Sequence, residues 1–274
     1  MGTTILQGHD WSDAGDWSGI VPIANDDALI SPSLAVAVDA GLDQTTLDLD
    51  SIRIHELYMH DVGASGTPLK IATDELEHYG SGGLYYEADA GGAAIATDSV
   101  IIQCQNSKVI TELGSGAGAK AGDYGRILIN RGTVRVLASA MFGAACELII
   151  GKVNSPNDAT FSIGSGADTL LALHQNAGTG VTKNAITTAY VMGGTLTHDV
   201  AAIATLFIGP GATVNYNHSA ATTVVVFSGG TLNLLDNTLE KTITTLTAMP
   251  GSTVLYDDFL HTLTTFYDYR RAMP

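Results

Sequence analysis

The feature that most constrains this fold is a repeat in the C-terminal part of the chain, where four rows each open on Thr followed by an apolar residue. The opening residues are Thr195, Thr213, Thr231 and Thr253, and an interval of about 18–22 residues is typical of repeat architectures. The first two intervals are equal and the third is longer. Each row has a second β-rich run near its middle, and the first three rows close on a corner that contains Gly.

Two strand signals per row, with no helical period between them, restrict what one repeat forms. The runs TLFI and TVVVF are β-branched and aromatic, which suits a half-buried pleated surface. Eighteen residues at about 3.3 Å each make a contour of roughly 60 Å, enough for one closed circuit. The repeat therefore predicts an all-β fold, a parallel β-solenoid with coils of about 18–22 residues. Parallel crossovers of this kind are expected to wind right-handed.

Stacked coils place like residues in columns. One column is expected to hold the four opening threonines, and the next an internal aliphatic stack of Leu196, Val214, Leu232 and Val254. Flat threonine arrays bind ice in some solenoids. The third position of these rows varies, however, from Thr197 to Asn215, Asn233 and Leu255. Because no regular Thr-x-Thr face results, a structural explanation of the threonines is favoured.

Composition and charge narrow the function classes. The net charge is −16 with only 12 basic residues, which argues against binding nucleic acid through a basic surface. Cys104 and Cys146 lie in apolar surroundings and are expected to be buried thiols, not a disulfide. No Cys/His spacing resembles a zinc site, and no cofactor motif is present. The N-terminal residues lack a secretion signal, and no apolar run has membrane-spanning length.

The chain divides into three predicted parts. Residues 1–30 contain Trp11 and Trp17 and are expected to cap the first coil or to attach the protein to a partner. Residues 31–125 form a less regular part of the solenoid with loops, including a Gly-rich flexible loop at 114–125. Residues 126–274 form the regular solenoid, with a short helical turn at 141–145 and an aromatic cap at the C-terminal end.

The N-terminal stretch DWSDAGDWSGIVPIANDDALI resembles the start of right-handed β-helical surface proteins. Residues 49–103, with LDSIRIHELYMHDVGASGTPLKI, GGLYYEA and TDSVIIQCQ, are similar to a repetitive β-helix type of phage virion and metagenomic viral proteins. The later rows that open on GGTL fit the same type. The resemblance implies a non-enzymatic virion role, such as head decoration or fibre-like attachment.

The resemblance predicts a structural protein of the virion surface that is made in the host cytoplasm and decorates a phage capsid as a homotrimer. The expected partner is the major capsid protein or another virion protein, with no nucleic acid and no membrane. Aromatic and Arg residues are enriched at interface hot spots. The predicted contact residues are therefore Trp11, Trp17, Tyr269, Arg270 and Arg271.

Two alternatives stay open. A polysaccharide-degrading enzyme would need carboxylates across a groove, with candidates at Asp48, Asp50, Asp74, Glu75, Glu77, Asp257 and Asp258. No carboxylates align across consecutive regular rows, and the eight histidines, His55 and His60 among them, are expected to lie on the surface or in loops. A glycan-binding tailspike or adhesin would instead stack sugars on tyrosines such as Tyr58, Tyr79, Tyr85 and Tyr86.

Overall fold

The computed structural model describes residues 2–8, 10–30, 41–54, 69–79, 84–88, 99–104, 108–115, 124–138, 140, 142–151, 159–167 and 169–270. These residues form 21 β-strands, one 3-10 turn at Ala14–Asp16 and no α-helix. Every pairing between named strands is parallel, with one isolated antiparallel bridge between Leu6 and Trp17. The parallel β-solenoid expected from the repeat is confirmed. The described residues include no helix long and apolar enough to cross a membrane.

The strands divide between two ladders. Sheet 1 contains β1 (Thr3–Leu6), β2 (Asp27–Ile30), β3 (Asp43–Ile54), β4 (Lys70–His78), β6 (Ser99–Gln103), β8 (Tyr124–Val136), β9 (Phe142–Ile150), β11 (Leu170–Gln175), β13 (Ile186–Val191), β15 (Ile203–Ile208), β17 (Ala220–Val226), β19 (Lys241–Ala248) and β21 (His261–Asp268). Sheet 2 contains β5 (Leu84–Ala88), β7 (Ile110–Ser115), the second half of β8, β10 (Ala159–Ile163), β12 (Thr179–Thr182), β14 (Gly194–His198), β16 (Ala212–Tyr216), β18 (Thr231–Asn233) and β20 (Thr253–Leu255). From β4 onward the chain visits the two sheets in turn.

The register confirms the two columns expected from the repeat. Thr195 pairs with Thr213, Thr213 with Thr231, and Thr231 with Thr253. The adjacent column is Leu196, Val214, Leu232 and Val254, and all four side chains are buried. The threonine column also continues toward the N-terminus through Thr179, Thr160 and Thr133. Seven consecutive coils of sheet 2 therefore carry Thr at one position.

The first part of the chain has a constant ladder step that the sequence analysis missed. In sheet 1, Thr3 pairs with Asp27, Asp27 with Ser51, Ser51 with Glu75, and Glu75 with Ser99, at the same interval each time. Later steps in sheet 1 are unequal: the step from Ala172 to Thr188 is short, and the step from Ser99 to Arg126 is long. Coil length thus varies more than the C-terminal rows predict, because the corners absorb extra residues while the strands keep their register.

The core lies between the two sheets and is filled by alternate side chains of each strand. In β8, residues 124–129 belong to sheet 1, whereas residues 132–136 pair in sheet 2. Gly132 stands where the strand changes sheet, with φ of 112°, a conformation that side-chain-bearing residues rarely adopt. One continuous strand therefore turns a corner without an intervening loop.

Two local expectations were wrong. Residues 142–145 begin strand β9 and not a helical turn, because Phe142 pairs with Tyr124 in the ladder and tertiary pairing overrides the helix preference of Ala. His78, His198 and His261 are buried and not surface residues.

The Gly-rich stretch lies mostly outside the described residues, as do His55 and His60. The handedness of the winding stays a prediction.

The long coil before β19 is organised around a buried cation. The Nζ of Lys241 donates to Leu234 O at 2.7 Å, Asn237 Oδ1 at 2.5 Å and Leu239 O at 3.3 Å. Lys241 is 1% exposed, and burial lowers the pKa of its ammonium. The ammonium therefore satisfies polar groups of the loop that makes the row from Thr231 to Thr253 longer than the rows before it.

Large and small side chains alternate in the core column that precedes the regular repeat. Phe161 pairs with Val134 on one side and with Gly180 on the other. A Cβ built on Gly180 would lie 2.0 Å from the Cζ of Phe161. The ring of Phe161 therefore occupies the volume that Gly180 leaves free.

We expect Gly180→Val to lower the free energy of unfolding by about 1–3 kcal/mol, because the added methyl groups collide with the Phe161 ring. Phe161→Ala alone should cost about 3–5 kcal/mol through the cavity that it leaves. In the double variant the valine fills part of that cavity. The loss of unfolding free energy in the double variant should therefore be smaller than the sum of the losses in the two single variants. Urea unfolding of the four proteins measures this coupling, and strict additivity would contradict it.

Candidate interaction surfaces at the two ends of the solenoid

At the N-terminal end, the edge of sheet 1 is covered by the chain itself. Strand β1 is the first of the ladder, and residues 16–18 run along its outer side. The amide of Ser18 donates to Ile5 O at 2.9 Å, and the amide of Gln7 donates to Asp16 O at 2.7 Å. The amide of Ile5 also donates to the hydroxyl of Ser18 at 3.1 Å. This edge therefore has its backbone groups engaged, as a protected sheet edge requires.

Both tryptophans of this segment are buried. Trp11 is 0% and Trp17 4% exposed, and their rings meet edge to face with centroids 4.9 Å apart. The Nε1 of Trp17 donates to Trp11 O at 2.7 Å. The rings fill the end of the core beneath the covering segment. Their role as partner contacts stays a prediction, and the indoles as placed here serve packing.

Among the described residues of the N-terminal segment, two large apolar side chains are exposed, and both are isoleucines. Ile20 is 59% and Ile23 62% exposed, whereas the intervening Val21 packs against the core. The Asp26 carboxylate holds this loop by accepting from Gly2 N at 3.0 Å and Ile23 N at 3.2 Å. These hydrogen bonds lower the pKa of Asp26. The sequence analysis did not single out Ile20 or Ile23, although the apolar stretch IVPI was a signal for them.

At the C-terminal end, sheet 1 ends on β21, which pairs with β19 alone among the described strands. The last coil exposes a group of large apolar side chains: Leu255, Phe259, Tyr267 and Tyr269. Phe259 is 99% exposed, at the tip of a turn in which its amide donates to Asp257 Oδ1 at 2.8 Å. Within the part of the chain that the structure describes, the two ends therefore differ: the N-terminal edge is covered, and the β21 edge is open.

The contact residues predicted at this end are Tyr269, Arg270 and Arg271. Tyr269 is 45% exposed and stacks on Tyr267, with ring centroids 6.5 Å apart. Arg270 forms a two-pronged ion pair with Asp268, both contacts at 2.7 Å, and its guanidinium lies 5.5 Å from the centre of the Phe266 ring. Arg271 lies outside the described residues. Tyr269 is thus exposed for contact with a partner, whereas the guanidinium of Arg270 is already paired with Asp268 of the same chain.

The carboxylates considered for catalysis are partly engaged in ion pairs or turns. Arg53 contacts Glu77 at 3.1 Å and Glu75 at 3.5 Å. Asp257 accepts from a turn amide, and its own amide donates to His261 Nδ1 at 3.0 Å. The side chains of Asp48 and Asp74 lie outside the described set. Within the described residues, no group of three or more His, Cys, Asp or Glu side chains is arranged to hold a metal ion.

One depression opens on the outer face of sheet 1, with a volume of about 250 Å³. It is lined by Glu75, Val100, Ile101, Arg126 and Leu128, on three successive strands. A single carboxylate and a single guanidinium face it. This pair provides charge for contact, but not the two carboxylates that glycoside hydrolysis uses.

The tyrosines considered for sugar stacking are largely occupied. Tyr86 is buried and donates its hydroxyl to Ile71 O at 2.8 Å. Tyr79 is half-buried, and its pKa is raised first by burial and then by Glu77. Tyr58 lies outside the described residues. The sequence analysis missed an outward column of His174, Tyr190 and Phe207, whose nearly parallel rings have centroids 5.0 and 5.1 Å apart.

The interior contains two buried thiols and a buried imidazole. Both cysteines are free and buried, as expected, and burial raises the pKa of each thiol to about 12. His198 shares hydrogen bonds with Thr182 Oγ1 at 2.7 Å and Ala201 O at 2.6 Å. Burial lowers the pKa of His198 to about 4. The imidazole is therefore neutral and structural at neutral pH.

Comparison of the chain with protein-family models, curated protein sequences and solved structures finds no match. The resemblance to viral β-helical proteins stays a prediction from the motifs quoted above.

The buried His198 makes stability depend on pH in a defined window. Its pKa is lower in the folded chain than the ordinary 6.5, so the unfolded chain takes up a proton first as the pH falls. We expect the free energy of unfolding to decrease between about pH 6.5 and pH 4, by about 3 kcal/mol from this residue. The stabilising effect is complete above that window. Urea unfolding at a series of pH values measures the slope.

His198→Gln should flatten this slope, and the matched control His174→Gln, at a half-exposed site, should keep it. Some slope should remain in His198→Gln, because burial also lowers the pKa of His261. Equal slopes in the His198 variant and the wild type would contradict the assignment.

Proposed function

We propose that the protein is a structural component of a virion surface that binds the outer capsid as a decoration protein. The observation that carries this proposal is the continuous thirteen-strand ladder of sheet 1. Thirteen strands at about 4.8 Å make a rod of roughly 60 Å. Such a rod is held by backbone hydrogen bonds and a continuous core, which suits a passive structural element. The motif resemblance supplies the viral setting.

The surface chemistry supports a role outside nucleic-acid binding. A net charge of −16 keeps a protein with long sheets soluble and opposes nonspecific side-by-side association. The proposed partner is the major capsid protein or another virion protein, with the protein located on the capsid surface. We expect the protein to bind the capsid as a homotrimer. The mass of protein bound per particle tests that stoichiometry.

The attachment surface that we favour is the N-terminal loop with Ile20 and Ile23. Both side chains are exposed, and Asp26 fixes the loop against the first coil. Preorganised apolar side chains lower the entropy lost on binding.

A glycan-binding role is the second candidate, and the outward column of His174, Tyr190 and Phe207 is the observation that bears on it. Sugars stack on open aromatic faces. In this column each ring face meets the next ring, with interplanar angles of 7° and 9°. The column therefore presents ring edges, and this favours packing along the solenoid over sugar binding. A glycan-array measurement separates the two roles.

The decoration proposal predicts that the wild-type chain co-sediments with capsids assembled from the major capsid protein of the same genome. Ile20→Asp with Ile23→Asp should lower the bound fraction at least about tenfold, since charges replace apolar contacts. The matched control is Leu171→Asp, at a side chain 40% exposed on β11. Circular dichroism confirms that all three proteins keep their β structure.

Wild-type protein that stays in the supernatant at every concentration would overturn the decoration role. Wild-type binding that the isoleucine variant retains would instead overturn the placement of the attachment surface.

A further inference from the structure

We propose that two copies of the free protein associate end to end, by antiparallel pairing of β21 with β21 about a two-fold axis. This inference is independent of the proposed virion role. It rests on the open C-terminal edge of sheet 1, on the direction of the backbone groups there, and on a side-chain pattern that is symmetric along the strand.

The backbone groups of β21 that face away from β19 follow from its hydrogen bonds. Tyr269 N donates to Ala248 O at 2.9 Å, and Leu260 O accepts from Lys241 N at 3.4 Å, so these two groups point toward β19. Successive residues of a strand direct their backbone groups to opposite sides. The C=O of His261 and the backbone groups of Asp268 therefore point away from β19, as do those of Leu263 and Phe266, each two residues further in. The N–H of His261 is already engaged, because it donates to Asp257 O at 2.8 Å.

The side chains of β21 alternate in a palindromic order. Its register with β19 places His261, Leu263, Phe266 and Asp268 in the inward columns. The outward residues are Thr262, Thr264, Thr265 and Tyr267. From His261 to Asp268 the side chains point inward, outward, inward, outward, outward, inward, outward and inward, and this order is the same when the strand is read from the other end.

An antiparallel copy can therefore be placed with inward residues opposite inward residues. In this register Leu263 faces Phe266 of the second copy, and His261 faces Asp268. Leu263 and Phe266 both direct their N–H and C=O groups away from β19, so this pair can exchange N–H···O=C bonds. His261 offers only its C=O to the second copy, since its N–H donates to Asp257 O. The axis passes between Thr264 and Thr265, where the strand carries two successive outward residues.

The side chains suit this contact. Leu263 and Phe266 are half-buried and already pack against the core, so pairing would continue the core from one copy to the next. Asp268 is ion-paired with Arg270, so the carboxylate that faces His261 of the second copy has a cation beside it. The exposed Phe259 and Tyr267 lie on the same last coil and would lose water contact on pairing.

The N-terminal end cannot supply the partner strand, because residues 16–18 already cover β1. Head-to-tail stacking into a filament is therefore disfavoured. An isologous contact between two C-terminal ends is closed after two copies. The two ends of the chain together predict a dimer and not an open polymer.

The first test is disulfide trapping. Thr264→Cys with Thr265→Cys places facing cysteines across the axis, and opposed residues between hydrogen-bonded pairs have Cα atoms about 4.5 Å apart, within disulfide range. We expect mild oxidation to give a covalent dimer on non-reducing gels. The matched control is Thr244→Cys with Thr245→Cys, at the same outward positions one coil inward on β19. It should not give that dimer.

The second test is sedimentation velocity of the full chain over a concentration series. Wild-type protein should shift from one copy to two, and Leu263→Lys should raise the dissociation constant about a hundredfold, tenfold for each of two symmetric charges. Thr244→Lys is the control of equal charge, and circular dichroism checks the fold. A wild-type protein that stays monomeric or sediments as a trimer, or equal trapping in both cysteine variants, would overturn the pairing.

Discussion

The structure depends on one constraint, the parallel stacking of successive coils at about 4.8 Å. Backbone ladders fix this distance, so each side chain lies against its equivalent in the next coil and must fit it in size and polarity. The seven-threonine column of sheet 2 and the aliphatic column beside it satisfy the constraint by repetition. The pair Phe161 and Gly180 satisfies the same constraint by complementary size, because the large ring occupies the space beside a residue without a side chain.

The same constraint decides where irregularity is tolerated. Extra residues are placed in corners, so the short step from Ala172 to Thr188 and the long step from Ser99 to Arg126 both belong to the same ladder. Buried polar groups of a corner need hydrogen-bond partners inside the protein. In the loop before β19, the Lys241 ammonium is that partner. Buried polar groups in this protein thus serve to close coils, as the hydrogen bonds of His198 also show.

A stacked fold has two ends, and here they are unlike. The N-terminal edge is engaged by residues 16–18 above a pair of buried indoles. The C-terminal edge presents β21 with exposed aromatic side chains around it. Repetition explains the middle of the rod, and both surfaces that we propose for binding lie where repetition stops. On the side faces, Arg53 pairs with Glu75 and Glu77, and the rings of His174 and Tyr190 stack on each other.

The sequence by itself determined the all-β solenoid, the register of the Thr195 to Thr253 rows and the burial of both cysteines, because periodic β-rich rows and apolar surroundings are local signals. It did not reveal the constant step from Thr3 to Ser99, since the strands DALI, SIRI, ELEH and SVII share only an alternating pattern. Tertiary structure alone decided that Trp11 and Trp17 turn inward while Ile20 and Ile23 stay exposed. That choice depends on which side chains reach the end of the core, a distance that no local pattern encodes.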